Sequence, residues 1–212
     1  MEENKFLKAA RTAREDNNAT DAKRYYEMVK MDDPNHAEAK FFYSYYTITS
    51  GIKGDAYNGY ITFFEMLPSA VKAVARSEDM TNTEKTALLK DMANTVKEMP
   101  MLMYQVLNSI SQTSHGKEQL AKTNQRSIRM LYSFGDEIEK NFSNDEEIIS
   151  TISVDLWKSG ISLQRKWVGV AFDKTYPEKY ASKIQKYDSS YTPPQGNALR
   201  GCIGSILGAF SH

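Results

Sequence analysis

The side chains that most often take part in catalysis or metal binding are few and scattered in this sequence. The three histidines, His36, His115 and His212, lie far apart, and none has a second histidine at helical spacing. A zinc site needs several converging ligands, and neither the HExxH nor the CxxC spacing occurs. We therefore expect no metal site and no bound cofactor.

Acidic side chains form four short clusters that could act as acid and base pairs. Catalysis by paired carboxylates requires burial or mutual repulsion to separate their pKa values. The last cluster stands at a predicted helix start, where capping and the helix dipole favour negative charge. We interpret all four as caps or solvated helix faces: Asp32 with Asp33, Glu78 with Asp79, Asp136 with Glu137 and Glu139, and Asp145 with Glu146 and Glu147.

Motifs for nucleotide binding and nucleophilic catalysis are missing from the sequence. No GxxxxGK[ST] loop occurs, no GxGxxG follows a strand pattern, and no nucleophile-elbow motif is found. Cys202, the single cysteine, stands in a tail rich in proline and glycine, where we expect no histidine and carboxylate to activate it. The sequence therefore predicts a protein that is not an enzyme.

Tyrosine is the abundant residue type that suits binding, with 13 copies in the chain. Its ring packs against apolar groups while its hydroxyl stays hydrated. Tyr25, Tyr45 and Tyr57 fall outside the packing register of the helices described below, so we expect them on a partner-binding surface. Arg126 and Arg129 are three residues apart on one predicted helix face, where they could meet an anionic partner. A solvated helix face would explain the two arginines equally well.

The composition is that of a folded globular protein, and its basic and acidic residues are equal in number. The hydrophobic fraction is 41% and the charged fraction 25%, and 27 basic residues balance 27 acidic ones. A nucleic-acid-binding protein would usually carry a net basic charge, so we expect no nucleic-acid partner. The single cysteine, the charged N-terminal stretch and the lack of a long apolar window favour a cytoplasmic location.

Apolar residues recur at helical spacing through most of the chain, which predicts an all-α fold. In the N-terminal third, proline and capping residues divide this pattern into four helices. These are predicted over 3–16, from a cap at Asp21 to about Met31, over 36–49, and from a cap at Asp55 to the residue before Pro68.

These four helices contain a repeat. Five residue pairs stand 34 positions apart: Asn17 with Gly51, Asp21 with Asp55, Ala22 with Ala56, Tyr26 with Tyr60, and Pro34 with Pro68. A period of 34 residues is that of the tetratricopeptide repeat, in which two helices form one unit.

The first unit resembles a tetratricopeptide repeat in more than its length. Small residues stand where its two helices must approach, and one aromatic residue stands where the gap must be filled: Phe6, Ala9, Ala10 and Ala13 in the first helix, and Ala22, Tyr26, Val29 and Pro34 in the second. In the second unit Lys40, Tyr43, Ser44 and Thr47 occupy the first-helix positions, and Ser44 keeps the expected small size. The resemblance implies two helical hairpins over 3–68, a concave face that binds peptides or proteins, and no catalysis.

Beyond Pro68 the 34-residue period ends, but helical patterns continue. Thr81 and Glu84 have the spacing of a capping box, and the helix that they start is predicted to end at Pro100, before a separate buried helix. The longest helix is predicted to run from the Asp145 cluster to about Lys174. We expect residues 69–187 to form a bundle of longer antiparallel helices that continues the same core, followed by a tail over 188–212.

The sequence thus favours a non-enzymatic helical scaffold or adaptor that binds a peptide or protein partner in a repeat groove. Two alternatives stay open: a peripheral membrane adaptor that uses the apolar stretch GCIGSILGAF, and a helical protein or enzyme that binds a small molecule. The partner's identity and the oligomeric state do not follow from the sequence.

Overall fold

A computed structural model describes residues 4–49, 53–108, 114–167 and 173–193, and all regular structure in these ranges is helical. This confirms the predicted all-α class. A π-helical turn, Ile149–Ser153, joins the short helix before it to the helix after it, so that the three form one continuous helix. The helices are α1 (Lys5–Glu15), α2 (Ala19–Asp32), α3 (Ala37–Thr49), α4 (Lys53–Arg76), α5 (Asn82–Asn108), α6 (Ser114–Asn141), α7 (Glu146–Ile148), α8 (Val154–Lys166) and α9 (Tyr176–Ile184).

Side-chain caps start several helices, although not always the predicted ones. Asn18 caps α2 by accepting from the backbone N–H of Asp21 at 3.1 Å, so the prediction that Asp21 itself is the cap was wrong. Asparagine also makes the preceding turn, because Asn17 has a positive φ of 56° and tolerates this left-handed conformation better than most residues. Asp55 lies inside α4, which begins at Lys53, so it is not a cap.

Two later predictions of helix starts are confirmed. In the capping box, the backbone N–H of Thr81 donates to Glu84 Oε2 at 2.8 Å, and that of Glu84 donates to Thr81 Oγ1 at 3.3 Å. Asp145 accepts from the backbone N–H of Ile148 at 3.0 Å and caps α7. The helix that follows ends at Lys166, earlier than the predicted Lys174, which lies in a turn.

Neither of the two prolines expected to end a helix does so. Pro68 lies inside α4 and Pro100 inside α5. In both places the chain continues as one long helix instead of ending before the proline. Proline lacks an N–H group and disfavours the helical conformation of the preceding residue, but packing on both sides opposes this effect. Leu67 and Ala70 beside Pro68 are both buried.

The core begins where the N-terminal helices pack on their neighbours in chain order: α1 on α2, α2 on α3, and α3 on α4. Tyr26 and Tyr60 are fully buried, which confirms the prediction that they are core residues. Phe41 of α3 contacts Phe63 of α4 at 5.2 Å and Phe134 of α6 at 6.5 Å between ring centroids. The hydrophobic core is therefore shared between the N-terminal helices and the longer ones.

A second aromatic cluster fixes α9 on α6 and α8. The rings of Tyr132 and Tyr180 stack with their centroids 4.0 Å apart. Two glycines permit this packing: a Cβ atom on Gly135 would stand 2.5 Å from Nε1 of Trp157, and one on Gly160 would stand 2.8 Å from Cε1 of Tyr132. Within the described ranges, no helix combines the length and apolar character that a membrane crossing requires.

Candidate functional site

A concave groove lies between the N-terminal helices and the start of α5. Its volume is about 1000 Å³. Its walls come from four segments: the middle of α1, the start of α3, the last two turns of α4 with the loop after it, and the first turns of α5. Because α4 continues past Pro68, its last turns are available to form one of these walls. We refer to this surface as the charged groove.

A buried carboxylate stabilises the floor of the charged groove. The side chain of Glu38, on α3, is 5% exposed and forms an ion pair with Arg11 of α1. Arg11 donates from Nε to Oε1 at 3.0 Å and from Nη2 to Oε2 at 2.6 Å. Tyr26 of α2 donates its hydroxyl to Oε1 at 3.0 Å. One carboxylate thus joins the first three helices, and its charge is compensated by a cation and a hydroxyl donor.

The Tyr26 ring completes this floor from the core side. It stacks on Phe42 and on Tyr46, with centroid distances of 5.4 and 6.3 Å. Burial, and then the negative charge of Glu38, raise the pKa of Tyr26 well above its ordinary value. Tyr26 therefore stays neutral and remains a hydrogen-bond donor, so it cannot act as a base at physiological pH.

A second ion pair spans the charged groove. Arg14 of α1 donates from Nη2 to Oδ2 of Asp91 on α5 at 2.6 Å. The Arg14 guanidinium also lies over the ring of Phe42, with its carbon 4.2 Å from the ring centroid. The side chain of Arg14 is 27% exposed and that of Asp91 is 49% exposed. Both side chains of this pair are therefore partly exposed, whereas the Glu38 carboxylate of the floor is buried.

Exposed charged side chains line other parts of the groove. Lys72 and Arg76 stand one turn apart on α4, are both exposed, and have no ion pair within the described part of the chain. Glu78 and Asp79, in the loop after α4, are also exposed. The groove therefore presents both signs of charge to a ligand, with the cations on the helix and the anions in the loop.

The histidine of the groove wall contacts the backbone of α3. Nδ1 of His36, at the groove wall, accepts from the backbone N–H of Ala39 at 3.3 Å and so helps to start α3. Within the described ranges, no group of three or more His, Cys, Asp or Glu side chains is placed to hold a metal ion. A groove lined by charged side chains can hold the main chain and charged side chains of a peptide.

The five residues predicted to bind a partner lie outside the charged groove. Tyr25 is half-buried and lines a separate, shallow depression of about 420 Å³ between α1 and α2. Tyr45 is half-buried in the core, where its ring makes an edge contact with Tyr46 at 5.0 Å. A partner role for these two tyrosines stays a prediction.

The other three predicted residues are on α4 and α6. Arg126 Nη1 donates to the Tyr57 hydroxyl at 3.4 Å, so the structure brings this pair together. Arg129 is exposed on the same helix as Arg126. An anionic partner at these arginines also stays a prediction. The apolar C-terminal stretch, Cys202 and His212 lie outside the described residues.

Sequence reasoning missed the residues that form the charged groove, above all Arg14, Glu38 and Asp91. One signal was present: Glu38 lies among apolar neighbours in AEAKFF, where a carboxylate on the inward face of a helix requires a partner. Its partner could not be identified, because Arg11 is 27 residues away and the contact depends on how α1 packs beside α3.

Comparison with known proteins identifies no relatives of this chain. No protein-family profile matches the sequence, and neither a curated protein nor a solved structure shows significant similarity to it.

Proposed function

We propose that this protein is a non-enzymatic helical adaptor that binds a peptide segment of a partner protein in the charged groove. The observation that carries the proposal is the groove itself, a concave surface of about 1000 Å³ bounded by four helical segments. This volume is at the upper end of the range of about 300–1,000 Å³ that is usual for small-molecule pockets. An open surface of this size suits an extended chain segment.

Features of the N-terminal helices support a tetratricopeptide-like arrangement as part of this proposal. Ala10 and Ala22 are fully buried, as expected for small residues between the two helices of one unit. The recurrent tyrosines Tyr26 and Tyr60 are also fully buried and serve packing. In such an arrangement the charged groove takes the place of the concave binding face.

The chemistry of the groove also supports a peptide ligand. Peptides combine charged side chains with main-chain donors and acceptors, and the groove offers both cations and anions. Lys72 and Arg76 are free to bind acidic side chains, while Glu78 and Asp79 are free to bind basic ones. Exposed ion pairs give specificity more than affinity, so we expect moderate affinity with strong dependence on salt.

Filling the groove tests the proposal. Ala87 of α5 lines the groove and is exposed, so Ala87→Trp inserts a large side chain without disturbing the core. We expect peptides selected from a random display library on the wild-type chain to bind this variant at least about tenfold more weakly, measured by fluorescence anisotropy. This corresponds to a loss of about 1.4 kcal/mol of binding free energy.

Ala121→Trp is the matched control, because Ala121 is an exposed helical residue of α6 that does not line the groove. It should bind the same peptides with unchanged affinity. If the selected peptides bind both variants as they bind the wild-type chain, the groove is not the binding site and the proposal is wrong.

A further inference from the structure

The Arg14–Asp91 ion pair connects two parts of the molecule that otherwise pack with different neighbours. Its residues are 77 positions apart in the chain, and the pair crosses the charged groove from α1 to α5. The principal neighbour of α1 is α2, whereas α5 packs on α6 and α4. The ion pair is therefore a direct link across the groove between two helices whose principal packing partners differ.

The two ends of this link are held unequally. Arg14 is fixed on its own side, because its guanidinium lies 4.2 Å from the centroid of the buried Phe42 ring. The Asp91 carboxylate is about half exposed, and within the described ranges its one hydrogen bond is to Arg14. Asp91 can therefore move away while Arg14 keeps its place over Phe42.

The link is also weak enough to be exchanged. Ion pairs between partly exposed side chains contribute little in water, because solvent screens them and ordering of the side chains opposes them. A carboxylate supplied by a ligand would gain the same contact with Arg14, and the cations Lys72 and Arg76 also line the groove. This exchange suits a single acidic side chain in an otherwise uncharged segment, because the carboxylates that also line the groove, Glu78 and Asp79 among them, oppose a strongly acidic ligand.

We propose that the Arg14–Asp91 pair is a latch across the charged groove, and that an acidic side chain within a partner's peptide segment displaces Asp91 from Arg14. This inference rests on the proposed function and states how the same site is regulated. In the closed state Asp91 occupies the anion-binding face of Arg14. In the bound state an aspartate or glutamate of the partner replaces it.

The test is a binding titration of the full chain with a peptide that carries one glutamate among uncharged residues and is blocked at both ends. Asp91→Asn removes the internal competitor but keeps the side-chain shape, so we expect it to tighten binding by about two- to fivefold. Arg14→Gln should weaken binding, and Arg14→Lys should restore part of the loss because it returns the charge without the planar fork. In the Arg14→Gln background, Asp91→Asn should have no further effect.

Two controls separate the latch from a general change of charge. Asp79→Asn removes another exposed carboxylate of the groove, one that has no ion pair in the described part of the chain. It should change affinity less than Asp91→Asn does. The same peptide with glutamine in place of glutamate should bind weakly to every variant.

Several results would overturn the latch. These are an equal effect of Asp79→Asn and Asp91→Asn, equal binding of the glutamine peptide, or stronger binding of a neutral peptide with a free C-terminal carboxylate. Failure of the latch is distinguishable from failure of the proposed function. If Ala87→Trp abolishes binding of the blocked peptide while the Arg14 and Asp91 variants leave it unchanged, the groove binds peptides without the latch.

Discussion

At the scale of single residues, the groove is organised by Glu38, the buried charged residue of the described part of the chain. Burying a carboxylate is unfavourable unless a cation and hydrogen-bond donors compensate it. Arg11 and Tyr26 do so from two different helices. The side chain of Arg11 is 44% exposed, so the pair stays partly hydrated. Its desolvation is therefore less unfavourable than that of a fully buried pair.

Substitution of Glu38 tests this account. Glu38→Gln keeps the shape but removes the charge that Arg11 and Tyr26 satisfy, and we expect the free energy of unfolding to fall by about 1–3 kcal/mol. Urea denaturation followed by circular dichroism measures the change. Glu65→Gln is the control, because Glu65 is exposed on α4 and its loss should cost less than about 0.5 kcal/mol. Equal effects of the two substitutions would contradict the assigned role of Glu38.

At the scale of helices, the close approach of two helices to each other determines the packing as much as caps determine where the helices start. α6 and α8 meet at Gly135, where the Trp157 indole lies almost on the α6 backbone. Glycine in the middle of a helix is unfavourable by about 1 kcal/mol relative to alanine, so its presence needs a packing reason. Trp157 is fully buried, and it has no space into which it can move if Gly135 gains a side chain.

Alanine substitution of glycines therefore gives opposite outcomes at two helical sites. Gly135→Ala should lower the free energy of unfolding by about 1–3 kcal/mol, because the new Cβ overlaps the Trp157 ring. Gly59→Ala, whose Cβ would stand 3.2 Å from Cγ1 of Ile48, requires a shift of only a few tenths of an ångström and should be neutral or stabilising by less than about 1 kcal/mol. Thermal and urea unfolding of both variants checks the prediction. Equal stability of the two variants would mean that the α6–α8 contact adapts freely.

At the scale of the whole molecule, a continuous core of aromatic and aliphatic residues joins α1 to α8. Tyrosines provide much of it, and burial keeps several of them protonated. Burial raises the pKa of Tyr46 to about 12, and it raises the pKa of Tyr60 further still. A tyrosine that is neutral in the folded chain but ionises in the unfolded chain links stability to alkaline pH.

The sign of this linkage predicts alkaline unfolding. Below the ordinary tyrosine pKa of 10 both states are neutral at Tyr46, and its contribution is present in full. Above pH 10 the unfolded chain loses protons first, so stability should fall as pH rises towards about 12. Urea denaturation across this range measures the loss. Tyr46→Phe should lose less stability than the wild-type chain over the same interval, and identical pH profiles would contradict the assignment.

Local signals in the sequence determined the helical class and many helix starts. Hydrophobic spacing predicted the helices because one buried face imposes its period on the chain. The capping box at Thr81 and the cap at Asp145 were readable because the interacting groups lie within three residues of each other. The burial of Tyr26 and Tyr60 was predicted from a longer pattern, the 34-residue spacing of matching residue types.

Only the tertiary structure decided which helices continue through proline and which side chains meet in the groove. α4 passes Pro68 because long-range packing of its neighbours outweighs a local penalty that sequence rules count in full. The groove depends on contacts such as Arg14 with Asp91, across 77 residues, which no local pattern encodes. Residue types and spacing therefore determined the elements of this protein, whereas its candidate binding site arises from the way those elements pack.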